Sequence, residues 1–315
     1  MNKIIDLSEV LNFTVTINTC PNCSKKVFIP FGSRVHFNVR IYYQICNFCG
    51  LIIQNPQLSE QSSNIFYQKY YRELYNGSRN PTKEEQERQD IRSKNQANCL
   101  FNYLKVNNKS TPISILDIGS STGAFLLNIK EHFPNTELFG VEPGEGYREY
   151  CSNIGLNIVT DIKEFQEKNL KFDVINISHV LEHISEPVDF LKDIKSKYLK
   201  KDGILMVEVP NTLGGHGAFE IVHPVCFTED TLKDTLLLSA FEDIEIIKHS
   251  FSKEKSKLKE MYLLSISKST NNVAFFKPTK KNAWLIKFKR RRGFENENYL
   301  NSLKIIIKEL MIKYS

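Results

Sequence analysis

Short apolar runs alternate with amphipathic stretches over the second half of the sequence. The runs ISILDI, TELFGVE, LNIVTD, KFDVINIS and GILMVEVP have the length of buried strands, and most are separated by segments with helical periodicity. Strands that alternate with helices indicate a parallel sheet covered on both faces. Further on, FEDIEIIKHSF and EMYLLSISK follow each other without a helix, so we expect one of them to be antiparallel. The pattern predicts an α/β fold.

The first 60 residues carry cysteines and strand-like alternation instead. The apolar positions from Val35 to Tyr43 alternate with polar ones, which predicts one long half-buried strand. Two Cys-x-x-Cys pairs flank it, formed by Cys20, Cys23, Cys46 and Cys49. Two such pairs joined by strands predict a tetrahedral zinc site with four thiolates and no open position, which would hold this region together without taking part in chemistry. Four buried thiols without a metal are the alternative.

A loop with glycines, LDIGSSTGAF, joins the first strand of the second half to the next helix. An open α/β sheet binds its ligand at this position. A dinucleotide-binding loop would have glycine in place of Ser121 and Ala124, without Asp117 ahead of the first glycine. An acidic residue there favours a ligand with an ammonium group and no phosphate. Glu142 ends the next strand, where a carboxylate can accept both ribose hydroxyls, so the pattern points to S-adenosylmethionine rather than to a plain turn.

With these motifs in this order, residues 113–268 resemble the class I S-adenosylmethionine-dependent methyltransferases, which have a Rossmann-like sheet of seven strands. The resemblance implies that Asp117 lies near the methionine amino group and that Glu142 holds the ribose. It places Asp161 and Ile162 beside the adenine. The stretch LEH resembles a family motif and implies that Ser178 and His179 lie at the cofactor edge, with Glu182 and His183 close by. The implied cofactor residues are Asp117, Gly119, Ser121, Gly123, Glu142, Pro143, Asp161, Ile162 and Ser178.

The N-terminal region narrows the resemblance. The run CNFCGLIIQNPQLSEQSSNIFYQKYY is similar to the zinc-binding module and Tyr-rich linker of bacterial methyltransferases that act on nucleotide-linked sugars, including sugar C-methyltransferases. Because the module and linker close over the sugar in that group, Tyr67 and Tyr71 are implied substrate contacts. An amphipathic helix that only buries an apolar stripe explains these tyrosines equally well. The predicted division is a zinc ribbon, a helical linker, a methyltransferase domain and a basic helical tail, at residues 1–60, 61–111, 112–269 and 270–315.

Methyl transfer is an in-line displacement that aligns donor and acceptor and often requires a base near the acceptor. The segment VPNTLGGHGAFEIVHPVCFTED follows the fifth strand, where methyltransferases of this type place their substrate loop. The resemblance to the sugar enzymes gives His223 the position of an active-site histidine. Glu220 is a candidate substrate contact, and His179 is the second candidate base. The match to the sugar C-methyltransferases is partial here, so transfer to a sugar hydroxyl is expected ahead of transfer to carbon.

The net charge of +6 is concentrated in the tail. Residues 277–292 hold eight Lys or Arg and no acidic residue. With the amphipathic residues 298–315, this segment could lie on an anionic membrane surface, or it could pack on the body or on a second subunit. No run of eighteen apolar residues occurs, and Asp6 and Glu9 interrupt the N-terminal stretch. We expect a cytoplasmic protein, with the inner face of the membrane as a second place of action.

The sequence thus predicts a methyltransferase for a nucleotide sugar or a glycan precursor of capsule, O-antigen or other polysaccharide. One rival is an RNA methyltransferase with a zinc ribbon as its RNA-binding head, since the tail is basic. Against it, the stretch NISH lacks the Asn/Asp-Pro-Pro-Tyr motif used on exocyclic base nitrogens, and the chain outside the tail is not basic. No nucleic-acid partner is therefore expected. Another rival is an inactive module that only binds S-adenosylmethionine.

Overall fold

The computed structural model describes residues 7–250, 260–270 and 276–294. Its strands are β1 (Thr14–Val15), β2 (Phe28–His36), β3 (Val39–Cys46), β4 (Ile52–Gln54), β5 (Gln57–Leu58), β6 (Ser114–Ile118), β7 (Glu137–Val141), β8 (Asn157–Val159), β9 (Phe172–Ser178), β10 (Leu199–Pro210), β11 (Val225–Cys226), β12 (Phe241–His249) and β13 (Tyr262–Ser269).

The helices of the described residues are α1 (Ser8–Leu11), α2 (Glu60–Phe66), α3 (Arg72–Asn76), α4 (Lys83–Val106), α5 (Ala124–His132), α6 (Glu145–Asn153), α7 (Lys163–Glu167), α8 (Pro187–Tyr198), α9 (Glu229–Leu238) and α10 (Ala283–Phe294). A π-helical stretch, Tyr67–Tyr71, connects α2 to α3, and short 3-10 turns occur at Leu181–His183 and His216–Ala218.

Seven strands form the central sheet, in the order β8-β7-β6-β9-β10-β13-β12. The strands from β6 to β10 are parallel, and β13 is antiparallel to both of its neighbours. All five residues of β6 are buried, because it lies in the middle of a sheet covered on both faces. The predicted alternation of strands and helices and the predicted antiparallel strand are confirmed.

Successive side chains of the central strands enter two different cores. Ile115 packs in a cluster with residues of α4 and α5, such as Leu100 and Leu126. Leu116, the next residue, belongs to the cluster that contains Leu191 of α8. This follows from the two-residue period of a strand, which directs neighbouring side chains to opposite faces. Although α4 lies in the segment predicted as a linker, it covers one face of the central sheet.

A second sheet has the order β11-β4-β3-β2. Its strands β2 and β3 form a hairpin in which His36 pairs with Val39. Phe37 and Asn38 make the turn, and their φ angles of 49° and 61° are those of a type I′ hairpin. The prediction of one long strand from Val35 to Tyr43 is therefore wrong. The apolar alternation runs through the turn because the Phe37 ring lies edge-on against an aromatic residue of α3.

The N-terminal region and the body are interlocked. Although β11 follows β10 in the chain, it pairs with β4 of the N-terminal region. Asn22, in the first Cys-x-x-Cys turn, is 5% exposed, and its Nδ2 donates to Thr235 Oγ1 of α9 at 2.9 Å. Cys20 and Cys46 belong to the same hydrophobic cluster as the central strands. The cysteine region thus forms one wall of the body.

The described part of the basic tail, α10, packs on the second sheet. Ala283 and Ile286 are buried in the cluster around β3 and β4, and the Lys281 N–H donates to the Phe48 carbonyl at 2.7 Å. The helix predicted over residues 298–315 lies outside the described residues. Among the helices that the structure describes, none has the length and apolar character needed to cross a membrane.

Candidate active site

A cavity of about 1250 Å³ opens at the carboxyl ends of β6, β7, β9 and β10. An open α/β sheet binds its ligand at this edge. The predicted cofactor, substrate and catalytic residues on its wall are Tyr67, Tyr71, Asp117, Gly119, Ser121, Glu142, Pro143, Asp161, Ile162, Ser178, His179, Glu220 and His223. Of the predicted cofactor, substrate and catalytic residues, Gly123 alone does not line this cavity. It precedes α5 with φ 71°, and a side chain there would meet Leu156.

The loop after β6 has a backbone conformation that glycine adopts most readily. Gly119 has φ 80°, and a Cβ at this position would lie 2.6 Å from Val180 Cγ2. Ser121 also has a positive φ, of 49°, and its N–H lies 3.0 Å from Glu142 Oε2. This hydrogen bond links the loop after β6 to the residue that follows β7.

Asp117 lies deep in the cavity, with 3% of its surface exposed. Burial raises its pKa to about 7, the neighbouring Glu142 adds to this rise, and a hydrogen bond from Asn176 Nδ2 at 2.8 Å opposes it. A cationic ligand group beside Asp117 would favour the ionised carboxylate.

Glu142 is held by three separate segments. Its Oε2 accepts from the Ser121 N–H, and its Oε1 accepts from the Gly144 N–H and from Arg72 Nη2, both at 2.8 Å. The Arg72 guanidinium also lies over the Tyr147 ring, 3.7 Å from its centroid. Sequence reasoning missed Arg72, because nothing in the local pattern of the linker indicates a partner 70 residues away.

The polar groups around this loop fit S-adenosylmethionine. Among the described residues, Ser121 Oγ, Thr122 Oγ1 and Asn176 Oδ1 are buried without a hydrogen-bond partner. Buried polar atoms normally have a hydrogen-bond partner, so a polar ligand would satisfy these three atoms. The Asp117 carboxylate suits an ammonium group, and Glu142, which already accepts from Ser121, Gly144 and Arg72, has about one acceptor position left for a ribose hydroxyl. These residues could hold the cofactor.

The two candidate bases differ in what their ring nitrogens contact. His179 Nδ1 lies 3.3 Å from Glu182 Oε1, and its Nε2 lies 3.0 Å from Glu208 Oε1, so carboxylates flank both nitrogens. His223 Nδ1 lies 3.2 Å from the Ala218 carbonyl oxygen. Because a carbonyl only accepts, this nitrogen carries the proton, and Nε2 keeps a lone pair.

The tyrosines of the π-helical stretch both line the cavity and pack on one another. The Tyr67 and Tyr71 ring centroids are 5.0 Å apart, and Tyr67 Oη lies 2.7 Å from His183 Nδ1. Phe66, one residue earlier, is fully buried. The two interpretations of this segment, packing and substrate contact, are thus compatible.

The four paired cysteines converge on one point. Their Sγ atoms all lie within 4.8 Å of one another, with 3.5 Å between Cys20 and Cys49 and between Cys23 and Cys46. Four thiolates at a Zn–S distance of about 2.3 Å are about 3.8 Å apart in a tetrahedron. The cluster therefore fits a closed zinc site. The three other cysteines are elsewhere, with Cys151 and Cys226 buried and Cys99 partly buried.

Sheet order and cavity position define the class of protein. A mostly parallel sheet of seven strands, with the cavity at the carboxyl ends of its strands, is consistent with a Rossmann-like methyltransferase fold. A family model described as a methyltransferase domain matches residues 87–258, more than half of the chain. The chain belongs to this methyltransferase family.

Curated and structural relatives agree with this class. The tRNA U34 carboxymethyltransferase of Campylobacter jejuni subsp. jejuni strain 81-176 is 33% identical over 116 residues, which are 34% of this chain and 39% of that protein. The same enzyme from strain NCTC 11168 is 32% identical over 116 residues, with the same coverage. The chain thus spans about two fifths of the length of these curated relatives.

Two solved structures show the same fold. The plantazolicin methyltransferase BpumL, in complex with S-adenosylhomocysteine, has a TM-score of 0.51 and 16% identity, over 66% of this chain and 94% of that chain. The Burkholderia thailandensis 1,6-didemethyltoxoflavin-N1-methyltransferase has a TM-score of 0.51 and 15% identity, over 70% of this chain and 96% of that chain.

The burial of Asp117 gives a prediction for stability. In the unfolded chain this carboxyl ionises near pH 4, but in the folded protein it keeps its proton up to about pH 7. Stability from this group is therefore greatest at low pH and falls as the pH rises from about 4 to 7. We expect Asp117→Asn to stabilise the protein more at pH 8 than at pH 5, as measured by urea denaturation. The exposed Asp161→Asn is the control, and an Asp117→Asn effect that does not change with pH would contradict the assignment.

Proposed function

We propose that this protein transfers the methyl group of S-adenosylmethionine to a hydroxyl of a nucleotide-linked sugar or a related glycan precursor. The observation that carries the proposal is a single cavity that joins a cofactor-type strand edge to a histidine with an available lone pair. S-adenosylmethionine supplies the methyl group when it is bound. The side chains on the cavity wall would bind, align and activate the acceptor.

The cofactor assignment follows the strand ends. Asp117 would bind the ammonium group, and Glu142 would accept a hydrogen bond from the ribose. Support comes from the burial of both carboxylates and from the unpaired polar atoms beside them. The remaining residues in this assignment are Gly119, Ser121, Pro143, Asp161, Ile162 and Ser178.

The acceptor class is supported by basic residues on the same cavity wall. Arg79 and Arg88 line the cavity, and neither is in an ion pair among the described residues. Guanidinium groups suit phosphate oxygens, which a nucleotide sugar carries on its diphosphate. Tyr67 and Tyr71 would contact the sugar, and Glu220 would accept from its hydroxyls.

The acceptor hydroxyl would be activated through His223. Its Nε2 keeps a lone pair, whereas His179 Nε2 lies 3.0 Å from Glu208 Oε1 and His179 Nδ1 faces the Glu182 carboxylate at 3.3 Å. The geometry therefore favours His223 over His179 as the residue that acts on the acceptor.

Methylation of RNA is the second candidate. It is favoured by the 116-residue match to tRNA U34 carboxymethyltransferases, although that match covers only 39% of those enzymes. The deciding experiment is a transfer assay with radiolabelled S-adenosylmethionine, in which a panel of nucleotide sugars is compared with total RNA. We expect label in a nucleotide sugar. Label in RNA would favour the second candidate, and cofactor binding without transfer to any glycan or RNA would favour an inactive binding module.

Substitution of His223 tests its assignment in the same assay. His223→Gln should keep affinity for S-adenosylhomocysteine and lower turnover by about 100- to 10,000-fold, the usual share of a positioned acid–base group. The matched control is His132→Gln. His132 lies at the end of α5, contacts Asn98 and does not line the cavity. If His223→Gln turns over normally and His179→Gln does not, the role belongs to His179.

We also propose that the four paired cysteines hold a structural zinc ion. The cysteine region forms one wall of the body. Loss of the metal should therefore destabilise the whole protein and not only the N-terminal region. Cys46→Ser should abolish zinc content by elemental analysis and lower the midpoint of thermal unfolding, whereas Cys99→Ser should keep both. Wild-type protein that unfolds at the same temperature with and without zinc would contradict this proposal.

A further inference from the structure

A second group of metal-binding side chains lies on the cavity wall, apart from the cysteines. Glu182, His183 and His223 each offer one ligand atom, and these atoms all lie within 4.8 Å of one another. Glu182 and His183 belong to the turn after β9, and His223 precedes β11. The fold thus brings together two segments about 40 residues apart, and all three residues line the cavity.

The carboxylate of Glu182 is the first sign of a missing ligand. Glu182 is 2% exposed, and neither of its oxygens has a hydrogen-bond partner among the described residues. Within the part of the chain that the structure describes, its ion-pair partner is His179, whose Nδ1 lies 3.3 Å from Oε1. Burying a carboxylate is costly unless the group is paired or coordinates a metal. Its orientation toward two imidazoles leaves a cation as the natural partner.

The two imidazoles are held in the form that binds metals. His183 Nδ1 lies 3.0 Å from the Val222 carbonyl oxygen, and His223 Nδ1 lies 3.2 Å from the Ala218 carbonyl oxygen. Since carbonyls only accept, we assign the proton to both Nδ1 atoms, and each Nε2 then keeps its lone pair. Tyr67 Oη, 2.7 Å from His183 Nδ1, accepts from the same N–H in this assignment. Metal-binding histidines typically donate their other ring N–H to a carbonyl in this way. The ring centroids are 4.7 Å apart, close enough for both rings to reach one ion.

The geometry points to a divalent transition-metal site with Glu182, His183 and His223 as its ligands. Two nitrogens and one carboxylate oxygen favour ions such as Mn²⁺, Fe²⁺ or Zn²⁺ over Mg²⁺ and Ca²⁺, which prefer oxygen alone. Three protein ligands leave positions open toward the cavity, where an acceptor oxygen could bind.

The site would explain how His223 activates the acceptor, and only this role rests on the proposed function. A cation that binds the acceptor hydroxyl makes loss of its proton easier. Glu220, whose Oε2 lies 3.8 Å from His223 Nε2, is placed to receive that proton as the O–H bond breaks. In this arrangement His223 would hold the cation and Glu220, instead of His223, would take the proton. The acceptor oxygen would then form its bond to the methyl carbon as the bond from that carbon to sulfur breaks and S-adenosylhomocysteine leaves.

Binding of Mn²⁺ to the full-length, zinc-loaded protein tests the site without any activity measurement. Mn²⁺ is the probe because it competes poorly for thiolates, so it should leave the cysteine cluster unchanged. Titration followed by electron paramagnetic resonance should show one class of bound Mn²⁺ in the wild type. Glu182→Gln should weaken this binding by more than about tenfold. Glu149→Gln, which removes another carboxylate from the cavity wall, should leave it unchanged.

Affinity for S-adenosylhomocysteine serves as the folding control for each variant, and His183→Gln provides a second ligand variant if Glu182→Gln fails to fold. No Mn²⁺ binding by the wild type, or equal binding by both ligand variants, would overturn the inference. Mn²⁺ binding that depends on Glu182 in a protein without transferase activity would uphold the site and contradict the proposed function. Transfer activity that is insensitive to chelators, in a protein that does not bind Mn²⁺, would contradict the metal site and uphold the proposed function.

Discussion

The carboxylate of Glu142 ties together the parts of the molecule that surround the cavity. It accepts from the loop after β6, from its own loop after β7 and from Arg72 of the linker. Behind it, the parallel sheet brings Asp117, Glu182 and Glu208 to the same edge, all of them buried. Buried carboxylates are costly, so the protein offsets them with guanidinium, amide and imidazole partners. The buried polar atoms that still lack a partner in the described residues indicate where ligands would bind.

The interlocked N-terminal region extends this arrangement beyond the central sheet. β11 joins the N-terminal sheet immediately after the segment that carries Glu220 and His223. Tyr67 reaches the same place from the other side and contacts His183. The cysteine region is therefore joined to the part of the cavity wall that carries the histidines. This explains physically why the cysteine cluster and the methyltransferase sheet occur in one compact unit.

Much of the fold and the cofactor edge could be predicted from the sequence, because local signals carry them. The alternation of buried strands and helices, the acidic residues at 117 and 142 and the spacing of the cysteines are all readable along the chain. Arg72, the pairing of β11 with β4 and the approach of Glu182 to His223 could not be predicted, since each joins segments far apart in sequence. The turn at Phe37 and Asn38 was missed because an aromatic side chain in the turn continues the strand pattern.

The most direct test of this account is calorimetric binding of S-adenosylhomocysteine to the wild type and to Glu142→Gln. The variant preserves the shape of the side chain and removes the charge that strengthens hydrogen bonds from the ribose hydroxyls. We predict that the wild type binds and that Glu142→Gln binds about 10- to 100-fold more weakly. Equal affinities, with both proteins folded, would contradict the assignment of this strand edge as the cofactor site.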